Sequence, residues 1–247
     1  MRVKKRFDKR SYFSGKKDTN YIKPVIIVLS VLIFIVVLYF IMRILSIRNS
    51  EEFSMDNLSI YYLSYEALLQ QQNTDNKSNN LGRLNKLIIV EGKRKIVHII
   101  NVPINLFIFS KNVSAQSTNS QEFTTLFTEL LGIKSAYMYN ITLKKDYLKK
   151  LGVRNAEEMV EHLSKRGLRF VDYFFLANQV KSLRPESVIT EASLAKLYES
   201  LGKFNIRHYE VPTLTKFPIR IKVGGKTYIR IYADEEKLND LKNELVK

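Results

Sequence analysis

Val25–Met42 runs for 18 residues without a charge, and that stretch limits the possible folds of this chain more than any other feature. At 1.5 Å per residue a helix of that length covers about 27 Å, most of a roughly 30 Å hydrocarbon core. Ile22 before it and Ile44, Leu45 and Ile47 after it extend the apolar reach. Pro24 sits where a first helical turn accepts proline, and Tyr21 and Tyr39 suit the two interfaces. A cleaved signal peptide would have a shorter apolar region followed by a small-residue cleavage site, and none follows here. The sequence therefore predicts a retained transmembrane helix over residues 24–47. With no cysteine in the chain, thiol lipidation is excluded.

Charge sets the expected orientation. Residues 1–23 hold nine Lys or Arg against two Asp, a net +7, whereas Arg43 and Arg48 beyond the apolar run are soon met by Glu51 and Glu52. Positive flanks stay in the cytoplasm, so residues 1–23 are expected inside and the remainder outside. Of the formal +16, residues 49–247 hold 29 basic against 22 acidic residues, also +7. A basic tail beside a membrane is explained by topology and anionic lipid, so nucleic acid is not an expected partner. The absence of cysteine removes disulfides, cysteine nucleophiles and cysteine-based zinc sites, which fits bacterial export better than animal secretion. Four N-x-S/T sequences, at Asn57, Asn76, Asn112 and Asn140, are expected by chance in an Asn- and Ser-rich chain.

A connector over residues 48–57 leads into a domain over 58–247. Leu58–Ser64 is β-rich, and a polar low-complexity loop, Gln70–Asn80, follows. Lys86–Val90 and Lys95–Phe109 read as two strands of a hairpin turned by Gly92, each apolar on both faces as in a covered sheet. After a second polar loop, Lys111–Ser120, helical spacing puts Phe123, Leu126, Phe127, Leu130 and Leu131 on one face, with Gly132 ending the helix. Ser135–Leu143 reads as a strand. Asp146–Gly152 and Asn155–Gly167 read as helices, the latter capped by Asn155; Phe170–Leu183 is ambiguous. Thr190 caps a further helix ending at Gly202. Ile219–Ala233 forms a hairpin through Gly224-Gly225, with Ile, Val and Tyr facing inward and Arg and Lys outward, before a last helix, Glu235–Val246. The expected fold is a single α/β domain with a mixed sheet covered by helices.

Catalytic signatures are scarce. His98, His162 and His208 lie in separate elements without ligand-type spacing. Glu157, Glu158, Glu161 and His162 share one helix, but the spacing is neither H-E-x-x-H nor the E-x-x-H of di-iron bundles, so a solvated face is the plainer reading and no metal is expected. No G-x-S-x-G, P-loop or G-x-G-x-x-G occurs. Basic residues at Lys93–Lys95 and at Arg220, Lys222, Lys226 and Arg230 could bind anions, although such charge on an exposed strand is usually edge protection.

The order of these segments resembles the LytR-CpsA-Psr family of bacterial cell-envelope proteins. Leu81–Val90, LGRLNKLIIV, is similar to that family's G-R-S-D-T followed by an apolar strand. Val102-Pro103-Ile104-Asn105 stands where it has I-P-R-D, and Phe127–Ile133 resembles its L-L-G-I helix end. Leu148–Val153 resembles L-V-D-x-L-G-G-V with one glycine missing. Val211-Pro212, the Gly-Gly turn and Asp234–Leu238 match its tail. The family's R-x-x-R-Q segment has only Leu168-Arg169 and Asn178-Gln179 as counterparts. The resemblance implies single-helix anchoring and transfer of glycopolymer from a polyprenyl pyrophosphate carrier to peptidoglycan, with Mg²⁺ if that activity is retained. It also implies a ligand site at Arg83, Asn85, Pro103 and Asn105. Arg83 matches, but Asn85 replaces an aspartate, and Ile104 and Asn105 replace an arginine and an aspartate. An amide brings no charge to a metal and isoleucine none to pyrophosphate, so no catalytic residue is assigned.

The expected function is a membrane-anchored cell-envelope protein that binds a polyprenyl-phosphate-linked or glycan ligand, with transferase activity reduced or lost. Two alternatives stay open. One is a non-enzymatic bitopic scaffold of cell division or envelope assembly, with Lys222–Tyr232 as its partner-binding edge. The other is an ordinary family transferase whose arginines and carboxylates surround an apolar groove elsewhere. A long hydrophobic pocket beside Arg83 and Asn105 would separate lipid binding from scaffolding.

Overall fold

The computed structural model describes residues 22–65, 84–116 and 119–246. The basic tail through Tyr21, the Gln70–Asn80 loop and Arg83 lie outside the described residues. Two compact units meet between Arg43 and Ile44. The first contains most of helix α1, Ile22–Arg48, whose side chains from Val25 to Met42 are exposed apolar groups apart from Ser30 and half-buried Phe40. Within Pro24–Arg48 an 18-residue window has a mean hydropathy of 3.3, so α1 is long and apolar enough to cross a membrane.

The second unit is a mixed α/β domain. Its main sheet has five strands in the order β6-β1-β2-β3-β7: Tyr137–Leu143, Leu58–Tyr65, Leu84–Glu91, Ile96–Pro103 and Asn205–Glu210. β1, β2 and β3 are antiparallel neighbours, while β6 and β7 add in parallel at either edge. Period-two alternation sends Tyr61, Leu63, Ile88, Val90, Val97 and Ile99 into one core and Tyr62, Leu87, Ile89, Ile100 and Val102 into the other. The first core is closed by helices α3 (Lys145–Leu151), α4 (Ala156–Arg166), α5 (Asp172–Leu183) and α6 (Glu191–Lys203). The second is closed by α2 (Ser120–Leu130), α7 (Glu235–Val246) and a small second sheet.

That second sheet differs from the single sheet expected. Lys95–Phe109 is not one strand: after Pro103 the chain turns at Ile104-Asn105 and re-enters as β4, Leu106–Ile108, in a sheet ordered β5-β4-β9-β8. β5 (Val113–Ser114) lies in the expected loop, and β8 (Ile219–Val223) and β9 (Lys226–Tyr232) form the expected hairpin. Pro103 lacks the amide to continue a ladder, which is the local reason for the break. β7 carries a weak alternating signal and was not anticipated. The ambiguous segment is α5.

Two glycines act otherwise than expected. Gly92 does not supply the left-handed residue of the β2–β3 turn; Lys95 does, at φ 55°. What position 92 requires is the absence of a Cβ, which would fall on the carbonyl oxygen of Met55. Gly202 lies inside the last turn of α6 rather than after it, against Gly167 at the end of α4.

Lys196 on α6 is fully buried and ties the segment before β1 in place. Its ammonium donates to the carbonyls of Ser54 at 2.6 Å and Asn57 at 2.8 Å. Glu52 accepts from Thr190 Oγ1, Ile47 is buried, and Arg48 donates to Tyr173 Oη at 3.1 Å.

A Gly92→Ala substitution is expected to destabilise the domain by about 3 kcal/mol in thermal melts of the detergent-solubilised chain, against under about 0.5 kcal/mol for Lys93→Ala beside it. Burial pulls the Lys196 ammonium down to about 8 from 10.5. Between these values the unfolded chain binds more protons, so this group adds stability as pH rises from about 8 to 10.5. In denaturant titrations, the difference between the wild type and Lys196→Met should shift towards the wild type across that window.

Candidate functional site

The β2–β3 register places Leu84 opposite Pro103 and Asn85 opposite Val102, so the start of β2 and the end of β3 share one end of the sheet. Asn105 follows two residues beyond Pro103, where its backbone carbonyl accepts from the Ile231 amide at 2.9 Å, holding the β3–β4 turn against β9. The structure therefore brings Asn85, Pro103 and Asn105 together in one region, as the motif order implies. Arg83, one strand residue from Asn85, lies outside the described residues.

Asn85 is 2% exposed and faces the same core as Leu87 and Ile89. Its Nδ2 donates to Tyr62 Oη at 2.9 Å, while its Oδ1 is buried without a hydrogen-bond partner. Tyr62 is itself fully buried against Phe123, and burial raises its phenol far above the ordinary range, the Asn85 hydrogen bond opposing in part. An orphaned buried carbonyl oxygen costs about 1–3 kcal/mol. It offers an acceptor to any donor that reaches it. Pro103, Ile104 and Asn105 are half-buried.

On the opposite face sits a group that sequence reasoning passed over. The ammonium of Lys86, 1% exposed, donates to Asn101 Oδ1 at 2.8 Å and Glu157 Oε2 at 3.0 Å. A lysine opening the run KLIIV was the available signal, because a strand apolar on both faces leaves its ammonium nowhere to go but to a partner. The acidic side chains of α4 therefore divide. Glu157 neutralises Lys86, Glu158 Oε2 accepts from the Arg154 amide at 2.9 Å, and Glu161 pairs with Lys165 at 2.6 Å. Each carboxylate has its own structural partner, and among the described residues no group of three or more His, Asp or Glu could hold a metal ion. Burial lowers the pKa of His98, whose Nδ1 lies 3.3 Å from Tyr209 Oη.

Asn85, Tyr62, Pro103 and Asn105 supply amide and phenol oxygens and no carboxylate, a donor set that does not fit Mg²⁺. Two open concavities among the described residues lie elsewhere. One, of about 450 Å³, is lined by Asn119, Gln121, Glu122, Thr125 and Leu126; the other, of about 340 Å³, by Lys145–Arg154 residues around Gly152. Neither is lined by Asn85, Pro103 or Asn105.

Comparison with known proteins places this geometry in context. No family model matches the chain, and no curated protein matches it either. Among solved structures it is similar to the Lin1025 protein of Listeria innocua, at 14% identity over 76% of this chain and 96% of that one, with a TM-score of 0.43. It is also similar to the transcriptional regulator yvhJ of Bacillus subtilis, at 10% identity over 77% and 96%, with a TM-score of 0.46. A third is the LytR-CPS2A-psr family protein YwtF (TagT) with bound octaprenyl pyrophosphate lipid, at 13% identity over 81% and 93%, with a TM-score of 0.42. At these identities and scores the likeness assigns no ligand and no residue role; the LytR-CPS2A-psr resemblance at Asn85, Pro103 and Asn105 stands on the motifs alone.

Restoring an acid at Asn85 should expose the cost of burial there. In Asn85→Asp the carboxyl, buried beside Tyr62, is expected to titrate well above 3.9, so the neutral form is favoured in the folded state. The variant should lose about 3 kcal/mol at pH 7, regain about half of it by pH 5 and the rest only as the pH falls below 3.9, read by denaturant midpoints across that range.

Proposed function

We propose that this chain is a membrane-anchored bacterial cell-envelope protein, held by α1 with its domain outside the cytoplasmic membrane. We propose further that the strand end at Asn85, Pro103 and Asn105 binds a polyprenyl-phosphate-linked or glycan ligand without transferring it. The observation that carries this reading is the convergence of the three motif residues at one end of β2 and β3, with the Asn85 carbonyl oxygen buried and unpaired. Glycan hydroxyls are donors of the kind that Oδ1 lacks. Loss of transfer follows from the same residues: an amide at Asn85, with Ile104 and Asn105 after Pro103, neither binds Mg²⁺ nor neutralises a departing pyrophosphate. A ligand reaching Asn85 must first displace side chains, since the site is closed.

A second reading, a non-enzymatic scaffold of envelope assembly, is favoured by a different observation, the open hairpin edge described below. It needs no pocket.

The experiment is binding of polyprenyl pyrophosphate, free and glycan-linked, to the full chain in detergent, followed by product analysis with peptidoglycan and Mg²⁺. Binding without transfer is expected. An Asn85→Leu substitution removes the orphaned oxygen but also the Nδ2 donation to buried Tyr62, so it should cost about 1–3 kcal/mol of stability, and it should reduce affinity of the folded protein by about tenfold. Transfer by the wild type overturns the loss of activity, and no binding of either compound overturns the ligand reading.

A further inference from the structure

The β8–β9 hairpin contributes no side chain to either core of the domain. β9 is flanked by β4 and β8, whereas among the described residues β8 pairs with β9 alone and forms the edge of the second sheet. The open edge is thus Ile219–Val223, not the Lys222–Tyr232 segment that sequence reasoning favoured.

The register explains why neither face found a core. Ile219 pairs with Arg230 and Ile221 with Tyr228, while Arg220 pairs with Ile229 and Lys222 with Thr227. Opposed residues share a face, so the alternation of each strand, apolar against basic, is out of step with its neighbour's. Both faces carry mixed apolar and basic groups. Val223 is 60% exposed, and Phe217 and Leu214 in the preceding turn 73% and 66%. Arg230 lies 4.0 Å over the Phe107 ring. From Val211 to Ala233 the sequence holds Lys216, Arg220, Lys222, Lys226 and Arg230 and no Asp or Glu.

We propose that the β8 edge is a docking strand for an extended acidic segment of a partner protein, which adds beyond β8 as a fifth strand of the second sheet. Gly224 and Gly225, at φ 55° and 78°, close a two-residue turn with Val223 paired to Lys226. Val223, Ile221 and Ile219 therefore exchange bonds with β9, and the amide and carbonyl of Arg220 and Lys222 point outward, free to pair with a strand. An incoming strand of alternating acidic and apolar residues complements both mixed faces. A second copy of the chain does not: antiparallel β8–β8 pairing sets Arg220 and Lys222 against one another. Edge protection accounts for the lysine and arginine, but not for exposed Val223, Ile219 and Phe217 beside them. The proposal goes beyond the ligand reading and stands without it.

The test measures binding of a fluorescent ten-residue peptide of alternating Glu and Val to the full chain in detergent. Lys222→Pro removes an outward amide and a charge, Lys222→Ala the charge alone. The expected result is binding to the wild type, weakened about threefold by Lys222→Ala and more than about tenfold by Lys222→Pro. The same peptide N-methylated on alternate residues leaves the protein untouched and should fail to bind, which decides the matter even if Lys222→Pro does not fold. Three results each overturn the proposal: no binding of the peptide, equal binding of the N-methylated form, or inorganic polyphosphate competing equally well against the wild type and Lys222→Pro. The last marks a polyanion site without strand addition.

Discussion

The central strands β2 and β3 are covered on both faces, and every polar side chain they carry must be satisfied inside the protein. That constraint governs the rest of the domain. Lys86 is met by Asn101 and Glu157, which fixes α4 against β2 and sets the position of one covering layer. Buried His98 meets Tyr209, which joins β3 to the parallel strand β7. Lys196, buried outside the sheet, follows the same rule by drawing in the backbone carbonyls that precede β1. Such contacts contribute modestly as pairs, yet breaking one partner strands a buried charge or dipole, and that asymmetry makes the arrangement specific. The exceptions on these strands are Asn85, half satisfied by Tyr62, and the Nε2 of His98.

Much of this was legible in the sequence because periodicity and capping are local. The caps at Asn155 and Thr190, the left-handed Gly152 after α3, and the Gly-Gly hairpin fell where composition put them. The doubly covered strands were visible as unbroken β-branched runs. What failed depended on neighbours distant in the chain. Nothing local in GKRK says that Lys95 takes the positive φ while Gly92 makes room for Met55. Nothing in INVPINLFIF says that the residues after Pro103 leave for another sheet, although proline's missing amide was a hint.

The candidate site was legible in part for the same reason. Motif order placed Asn85, Pro103 and Asn105 at one strand end, and the antiparallel register delivered that proximity. Their surroundings were not foreseeable: Tyr62 reaches Asn85 from β1, and whether a side chain is open or buried is decided by packing across the second core. The hairpin shows the complementary failure. Each strand alternates as expected, but alternation within a strand says nothing about phase between strands, and the two are opposed so that no apolar face exists.

These two features bear on each other through charge. A carboxylate and an arginine at the end of β2 and β3 would need solvent or an anionic ligand to be tolerated there, which would hold that end of the sheet open. A neutral amide and an isoleucine remove that demand, and the end can close over Asn85 at the cost of a single orphaned oxygen. In the hairpin Arg220 and Lys222 stay at the surface of β8, because the mixed register denies them and their apolar neighbours any core. The fold buries charge where partners meet it, as at Lys86 and Lys196, has a neutral amide at Asn85 where none does, and keeps other charge where water solvates it. A closed strand end and an exposed basic edge are two outcomes of one rule about where charge can reside.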